Sequence, residues 1–153
     1  MRILFICLGN ICRSPTAEAV ARLRLDGHQL DSAGTSGWHE GEPPYPAMVR
    51  AAARRGVDMT ALAARKATAR DFDRFDLILA MDGSTLAAME TLRPAGNQTD
   101  LRRLTDFIDG SVSEVPDPYY SRDFDGALDL IEAGVAGLAL WLDRGPPATP
   151  SIT

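Results

Sequence analysis

Near the start of the chain a thiol, an arginine and a hydroxyl stand at a spacing suited to phosphate-ester chemistry, in the string Cys7-Leu-Gly-Asn-Ile-Cys-Arg13-Ser14. Five residues separate Cys7 from Arg13, the length of a tight loop whose N–H groups converge on an anion-sized concavity. The helix start expected at Pro15 adds positive potential. That field favours a thiolate, so Cys7 is expected to lose its proton easily and to attack phosphorus. Arg13 can grip two phosphate oxygens with its planar fork. Ser14 can donate its hydroxyl hydrogen to the Cys7 sulfur. Gly9 lets the backbone approach a ligand closely, and Asn10 tolerates a left-handed φ while its side chain ties the loop. A bare Cys-x5-Arg is a weak signal, equally compatible with a small buried residue after a strand. The longer string, continuing through Pro15, Ala17 and Glu18, is far more restrictive.

Cleaving a phosphate ester also needs a proton for the departing oxygen. Asp117 is the candidate donor. Pro116 and Pro118 flank it, stiffening the backbone and holding the carboxyl at a set distance. The expected cycle has two steps: Cys7 displaces the leaving oxygen to form a cysteinyl-phosphate, and Asp117 then activates water to hydrolyse it.

These groups must be positioned by the elements around them. Arg2–Ile6 reads as a buried strand ending at Cys7. A helix is expected from Pro15 to Asp26, with Ala17, Val20, Ala21 and Leu25 on one face and Gly27 ending it. Gln29–Ala33 is a candidate second strand. Residues 38–46 are crowded with turn formers. A helix over Pro46–Arg55 carries Arg50, Arg54 and Arg55 as a solvated face. Asp71–Arg74 reads as a helical turn, Asp76–Met81 as a buried strand, Ser84–Leu92 as a helix and Asp100–Thr105 as a fourth strand. Val115–Tyr120 is expected to be a rigid loop. Asp125–Asp143 is the clearest helix, with Leu128, Ile131, Val135, Leu138 and Leu142 in one stripe. Strands alternating with helices predict an α/β fold: one domain over residues 1–144, a four-stranded parallel sheet, right-handed crossovers and helices on both faces. A ligand then belongs beyond the strands' C-terminal ends, where Cys7 falls. Residues 145–153 are expected to be a mobile tail.

The composition fits this picture. The chain has 153 residues, 45% of them hydrophobic and 24% charged, enough for one core. Net charge is −5, which disfavours nucleic acid as a partner. No apolar stretch is long enough to span a membrane, and the N-terminus lacks signal-peptide architecture, so the cytoplasm is expected. Two cysteines cannot make a disulfide framework, and in a reducing compartment they stay thiols. His28 and His39 are too far apart in sequence to make a ligand pair; no metal or other cofactor is expected.

The string from Cys7 to Glu18 resembles the active-site loop of the low-molecular-weight protein tyrosine phosphatases. Length, Asp117-Pro-Tyr-Tyr120 and Leu77-Ile-Leu-Ala-Met-Asp82 fit the same family, and the resemblance runs from Arg2 to about Leu142. It implies the phosphotyrosine phosphatase I-like fold and phosphotyrosine-containing protein substrates, with a monomer or weak dimer. It assigns Leu8, Gly9, Asn10, Ile11, Cys12 and Ser14 to a phosphate-binding loop, and Trp38, Tyr119 and Leu8 to the walls around the aromatic ring. Tyr120 joins that pocket, and paired tyrosines of this kind are phosphorylated in relatives. Cys12 is either a small packing residue or, as in the family, the partner of oxidised Cys7 in a reversible disulfide.

The sequence departs from the family at two places. Leu62 stands where relatives carry a histidine that braces the loop asparagine, and Pro44-Tyr-Pro-Ala47 stands where they often have Asp-Pro-Arg. Three other activities compete. Arsenate reduction on this fold needs further downstream cysteines, and none follows Cys12. Protein arginine phosphatases favour Thr where this chain has Ile11, whose branched apolar side chain suits a phenyl ring. A phosphate-binding adaptor without turnover does not need Cys7, Arg13 and Asp117 together.

Overall fold

The computed structural model describes residues 1–145; the expected tail falls, from residue 146 on, outside the described residues. Four strands form one parallel sheet: β1 (Arg2–Cys7), β2 (Gln29–Gly34), β3 (Leu77–Ala80) and β4 (Asp100–Arg103), in the order β2-β1-β3-β4. β1 is central because its run Ile3-Leu-Phe-Ile6 is apolar on both faces, and all four side chains are fully buried. Each such burial is worth about 1.5–3 kcal/mol.

The helices are α1 (Arg13–Arg24), α2 (Pro46–Ala53), α3 (Asp71–Arg74), α4 (Gly83–Leu92), α5 (Pro118–Ser121) and α6 (Phe124–Asp143). Alternation along β1 divides the core. Ile3 and Phe5 pack with residues of α1, α2 and α6, including Val20, Met48, Leu128 and Ile131. Leu4 and Ile6 pack with Phe72 of α3 and Met89 of α4 on the other side. The sheet is thus covered on both faces, as a parallel sheet requires. The expected α6 stripe is buried at Leu128, Ile131, Val135 and Leu138, with Leu142 packed at its edge.

The chain leaves β1 toward β2 on one side and returns to β3 on the other. The strand ends around Cys7 therefore form a switch-point crevice.

Several boundaries differ from expectation. α1 begins at Arg13 rather than Pro15, because the Cys12 carbonyl already accepts from the Thr16 N–H and hydroxyl. β4 ends at Arg103, where the Asp106 carboxylate accepts the Arg103 N–H and winds residues 104–107 into a 3-10 turn. The expected rigid loop over Val115–Tyr120 is extended only to Asp117. There the carboxylate accepts the Tyr119 N–H at 3.0 Å and starts α5, so both tyrosines sit on a helical turn. Arg50, Arg54 and Arg55 are all exposed, as expected of a solvated face; Arg55 also reaches Asp129 at 2.9 Å and meets Asp125 and Glu132, joining the end of α2 to α6.

Candidate active site

Cys7 closes β1 and Arg13 opens α1, so both ends of the intervening loop are fixed by regular structure. Cys7 is 3% exposed. Its Sγ lies 3.0 Å from Ser14 Oγ and accepts the Asn10 N–H at 3.2 Å. Asn10 adopts φ 55°, the left-handed conformation its short polar side chain tolerates. Proton accounting orients Ser14. Its Oγ accepts from Asn10 Nδ2 at 2.8 Å, leaving its single hydrogen for the Cys7 sulfur at 3.0 Å or the more distant Ala33 carbonyl at 3.4 Å. A thiolate takes that hydrogen.

With Leu62 in place of the histidine brace, other groups hold Asn10. Its Nδ2 also donates to Ser32 Oγ at 3.0 Å, Ser32 donates to Glu18 Oε1 at 2.7 Å, and Arg22 pairs with the other Glu18 oxygen. Asn10 Oδ1 accepts the Arg65 N–H at 2.9 Å. Arg65 is itself fixed by ion pairs to Asp71 and Asp31, each at 3.0 Å. The loop is thus tied to α1, β2 and the segment beyond β2. Gly34 makes this possible: a Cβ there would meet the Leu8 carbonyl at 2.8 Å. Gly9 lies against His39, whose Cδ2 would be 3.2 Å from an added Cβ.

Arg13 is also 3% exposed. Its Nη1 donates to Asp82 Oδ2 at 2.6 Å and to the Val115 carbonyl at 2.9 Å, and Nη2 lies 3.5 Å from Asp117 Oδ2. Among the described residues, Arg13 Nε is a buried donor without a partner. Burial opposes the guanidinium charge, but the Cys7 charge, Asp82 and Asp117 outweigh it and hold the Arg13 pKa above its ordinary value. Burial likewise opposes ionisation of Asp82, and its bonds to Thr85 and Arg13 reverse the balance, holding that carboxyl below the usual range. Asp82 caps α4 through Thr85 N–H at 2.7 Å while gripping Arg13.

Val115 joins the parts. Its N–H donates to the Met81 carbonyl at 2.9 Å and its carbonyl accepts Arg13, which sets the height of Asp117 two residues on. Cys12 is buried beside Cys7. Burial first, then the charges of Asp117 and Cys7, push its thiol up to about 12.

Above this floor lies a cleft of about 140 Å³. The structure brings Cys7, Leu8, Gly9, Ile11, Cys12, Arg13, Trp38, Asp117, Tyr119 and Tyr120 to its walls. Asn10 and Ser14 are absent from the walls and bond Cys7 from within the fold. Trp38 is 74% exposed and Tyr120 71%, so they form the outer rim. Tyr119 sits lower, with Tyr45 edge-on at a centroid distance of 5.4 Å.

Sequence reasoning missed Asp82, His39, Ser32, Glu18 and Arg65. Asp82 carried a readable signal, as the first carboxylate after a buried parallel strand. Ser14, Glu18 and Arg22 recur every four residues, which puts them on one helix face. His39, Ser32 and Arg65 carried no such signal.

Comparison with known proteins agrees with this geometry. The family model described as low molecular weight phosphotyrosine protein phosphatase matches residues 2–146. The chain is 39% identical to the low molecular weight protein-tyrosine-phosphatase YfkJ of Bacillus subtilis, over 93% of this chain and 96% of that protein. The YfkJ crystal structure superposes with a TM-score of 0.89, at 36% identity, covering 94% of this chain and 95% of that one. A low molecular weight protein-tyrosine-phosphatase of Streptomyces coelicolor is 42% identical over 90% of both chains. A protein tyrosine phosphatase from Entamoeba histolytica gives a TM-score of 0.89 at 34% identity, over 95% of this chain and 98% of that one. With this floor, this cleft and matches along nearly the whole length, the chain belongs to the low molecular weight phosphotyrosine protein phosphatase family.

Proposed function

We propose that the protein hydrolyses phosphotyrosine in protein substrates, and small aryl phosphates, through a cysteinyl-phosphate. Cys7 thiolate attacks phosphorus as the P–O bond to the phenol breaks, and Asp117 gives its proton to the departing oxygen. Asp117 then takes a proton from water as the water oxygen bonds phosphorus and the S–P bond breaks. Ser14 stabilises the returning thiolate with its hydroxyl hydrogen. The loop N–H groups and Arg13 carry the charge on the non-bridging oxygens throughout. Leu8, Ile11, Trp38 and Tyr119 offer apolar surface to the ring. Trp38 and Tyr120 extend that surface toward solvent.

The observation that carries this reading is Arg13: a buried guanidinium on the cleft wall, locked by Asp82 and Val115, with Nε left without a partner among the described residues. A buried donor in that state costs about 1–3 kcal/mol, and a phosphate oxygen would satisfy it. Cys7→Ser is expected to abolish p-nitrophenyl phosphate turnover while inorganic phosphate still binds; wild-type-like turnover in that variant overturns the reading. Comparing phosphotyrosine with phosphoarginine separates it from arginine phosphatase activity, and Ile11 favours the ring.

The reading carries a cytoplasmic location, where Cys7 and Cys12 stay thiols between oxidations; among the described residues, no helix is long and apolar enough to cross a membrane. A peroxide would oxidise the Cys7 thiolate to a sulfenic acid, releasing hydroxide, and Cys12 would capture that sulfenic acid as a disulfide, with loss of water. Conversion of anionic Cys7 to a neutral sulfenic acid removes one of the charges that keep Cys12 protonated.

A further inference from the structure

Beside the cleft lies a second, larger hollow of about 270 Å³. Ile11, His39 and Tyr119 line both and form the ridge between them. The far wall is the proline-rich run 43–46, joined by Glu42. We propose that this hollow receives an apolar side chain one or two positions from the phosphotyrosine of a protein substrate. The proposal rests on the reading of the cleft as a phosphotyrosine seat, with which the hollow is continuous.

Four observations argue for this occupant. The hollow is set at a fixed offset from the phosphate seat, because the Tyr45 N–H donates to the Ile11 carbonyl at 2.8 Å and so ties the far wall to the loop after Cys7. The ridge is braced from both sides, by Tyr45 edge-on to Tyr119 at 5.4 Å and by His39 at 6.5 Å from the Tyr119 ring. Pro43, Pro44 and Pro46 hold their backbone before anything binds, so little ordering entropy is lost on association. Charge then selects against acidic neighbours. The Glu42 carboxylate, paired with His39 Nδ1 at 2.7 Å, is part of the hollow's lining. A substrate strand crossing the ridge from the phosphotyrosine would deliver its neighbouring side chain into this apolar recess. Leucine, isoleucine or methionine fits its lining better than aspartate.

The test uses the full chain and short phosphotyrosine peptides in which leucine or aspartate is moved through the two positions on either side. Turnover of p-nitrophenyl phosphate reads the cleft alone. We expect kcat/KM to favour leucine over aspartate by about tenfold at one position, a size typical of an apolar pocket. Pro43→Trp, which puts a bulky ring into the far wall, removes that preference and leaves p-nitrophenyl phosphate turnover unchanged, whereas Pro43→Ala keeps both. A flat wild-type series overturns the proposal whatever Pro43→Trp does. So does a preference that survives in a Pro43→Trp protein active on p-nitrophenyl phosphate. Specific activity that rises with enzyme concentration and is flattened by Pro43→Trp assigns the hollow to a second copy of the chain, and overturns the proposal equally. Absence of p-nitrophenyl phosphate turnover in the wild type removes the cleft reading itself, and the hollow's role with it.

Discussion

The floor of the cleft and its rim are built on opposite principles. On the floor, Cys7, Asn10, Arg13 and Ser14 are at most 3% exposed and are bonded to one another and to three neighbouring segments. At the rim, Trp38 and Tyr120 are more than 70% exposed and present aromatic surface to solvent. Rigid burial suits groups that must meet a fixed charge distribution, since preorganised donors need not reorganise during reaction. Exposure suits groups that must meet side chains of varied shape, at the cost of contributing little each. Floor substitutions should therefore act on kcat, and rim substitutions on KM.

The largest test of that division is Arg13→Lys. An ammonium keeps the charge but loses the fork that holds Asp82 and Val115 and that, in the proposed reaction, would also grip a phosphate. The expected loss is about 10²–10³ in kcat with an aryl phosphate; retention of wild-type kcat would mean that the floor works as a point charge. Ser32→Ala comes next. Ser32 does not line the cleft but links Asn10 to Glu18, so its removal leaves a buried carboxylate oxygen and an amide hydrogen short of partners, costing about 1–3 kcal/mol of stability. As a positioning residue it should also lower kcat about tenfold with KM held, and Ser32→Thr should recover most of the loss. A fall in Tm with kcat unchanged would reduce Ser32 to a structural role.

The pH dependence of Cys12 sharpens the comparison from another side. Its thiol is raised in the fold to about 12, against about 8.5 in an unfolded chain. The folded state thus holds the proton longer, and this contribution is whole below about pH 8.5 and is lost as pH rises from there toward the folded value. Thermal melts from neutral pH to pH 11 should show Tm falling for the wild type and falling less for Cys12→Ala; parallel curves would remove Cys12 from the alkaline limb. The smallest effect is expected at the rim. Trp38→Ala should raise KM for a phosphotyrosine peptide about threefold to tenfold, in line with about 0.5–1.5 kcal/mol for one aromatic contact, while p-nitrophenyl phosphate kcat stays put. A matching fall in kcat would show that the rim takes part in the chemical step.

The same contrast explains what the sequence made legible. Cys7, Arg13 and Ser14 could be read together because one strand end and one helix start hold them within eight residues. The sheet followed from short apolar strands alternating with helices, and its central strand from Ile3-Leu-Phe-Ile6. Asp117 stood out through its two prolines. The groups that hold the floor come from elsewhere: Asp82 from the cap of α4 just beyond β3, Ser32 from β2, Arg65 from the segment bridged to Gly34. Their pairing depends on strand order and register, which no local pattern encodes. With Leu62 in place of a histidine, Asn10 is held by Ser32, Glu18 and the Arg65 backbone, three groups that no local pattern links. Tyr119 and Tyr120 were placed on a loop because a single helical turn after an Asp-Pro pair has no periodicity to read.

Val115 has one more consequence. A single peptide unit is pinned to a strand end by its nitrogen and to a buried guanidinium by its oxygen. The acid-bearing segment cannot swing outward as a flap without dislodging the cation beneath it. The carboxyl is held besides by the Tyr119 N–H at 3.0 Å, so acid, cation and strand end stand as one assembled unit before anything enters the cleft.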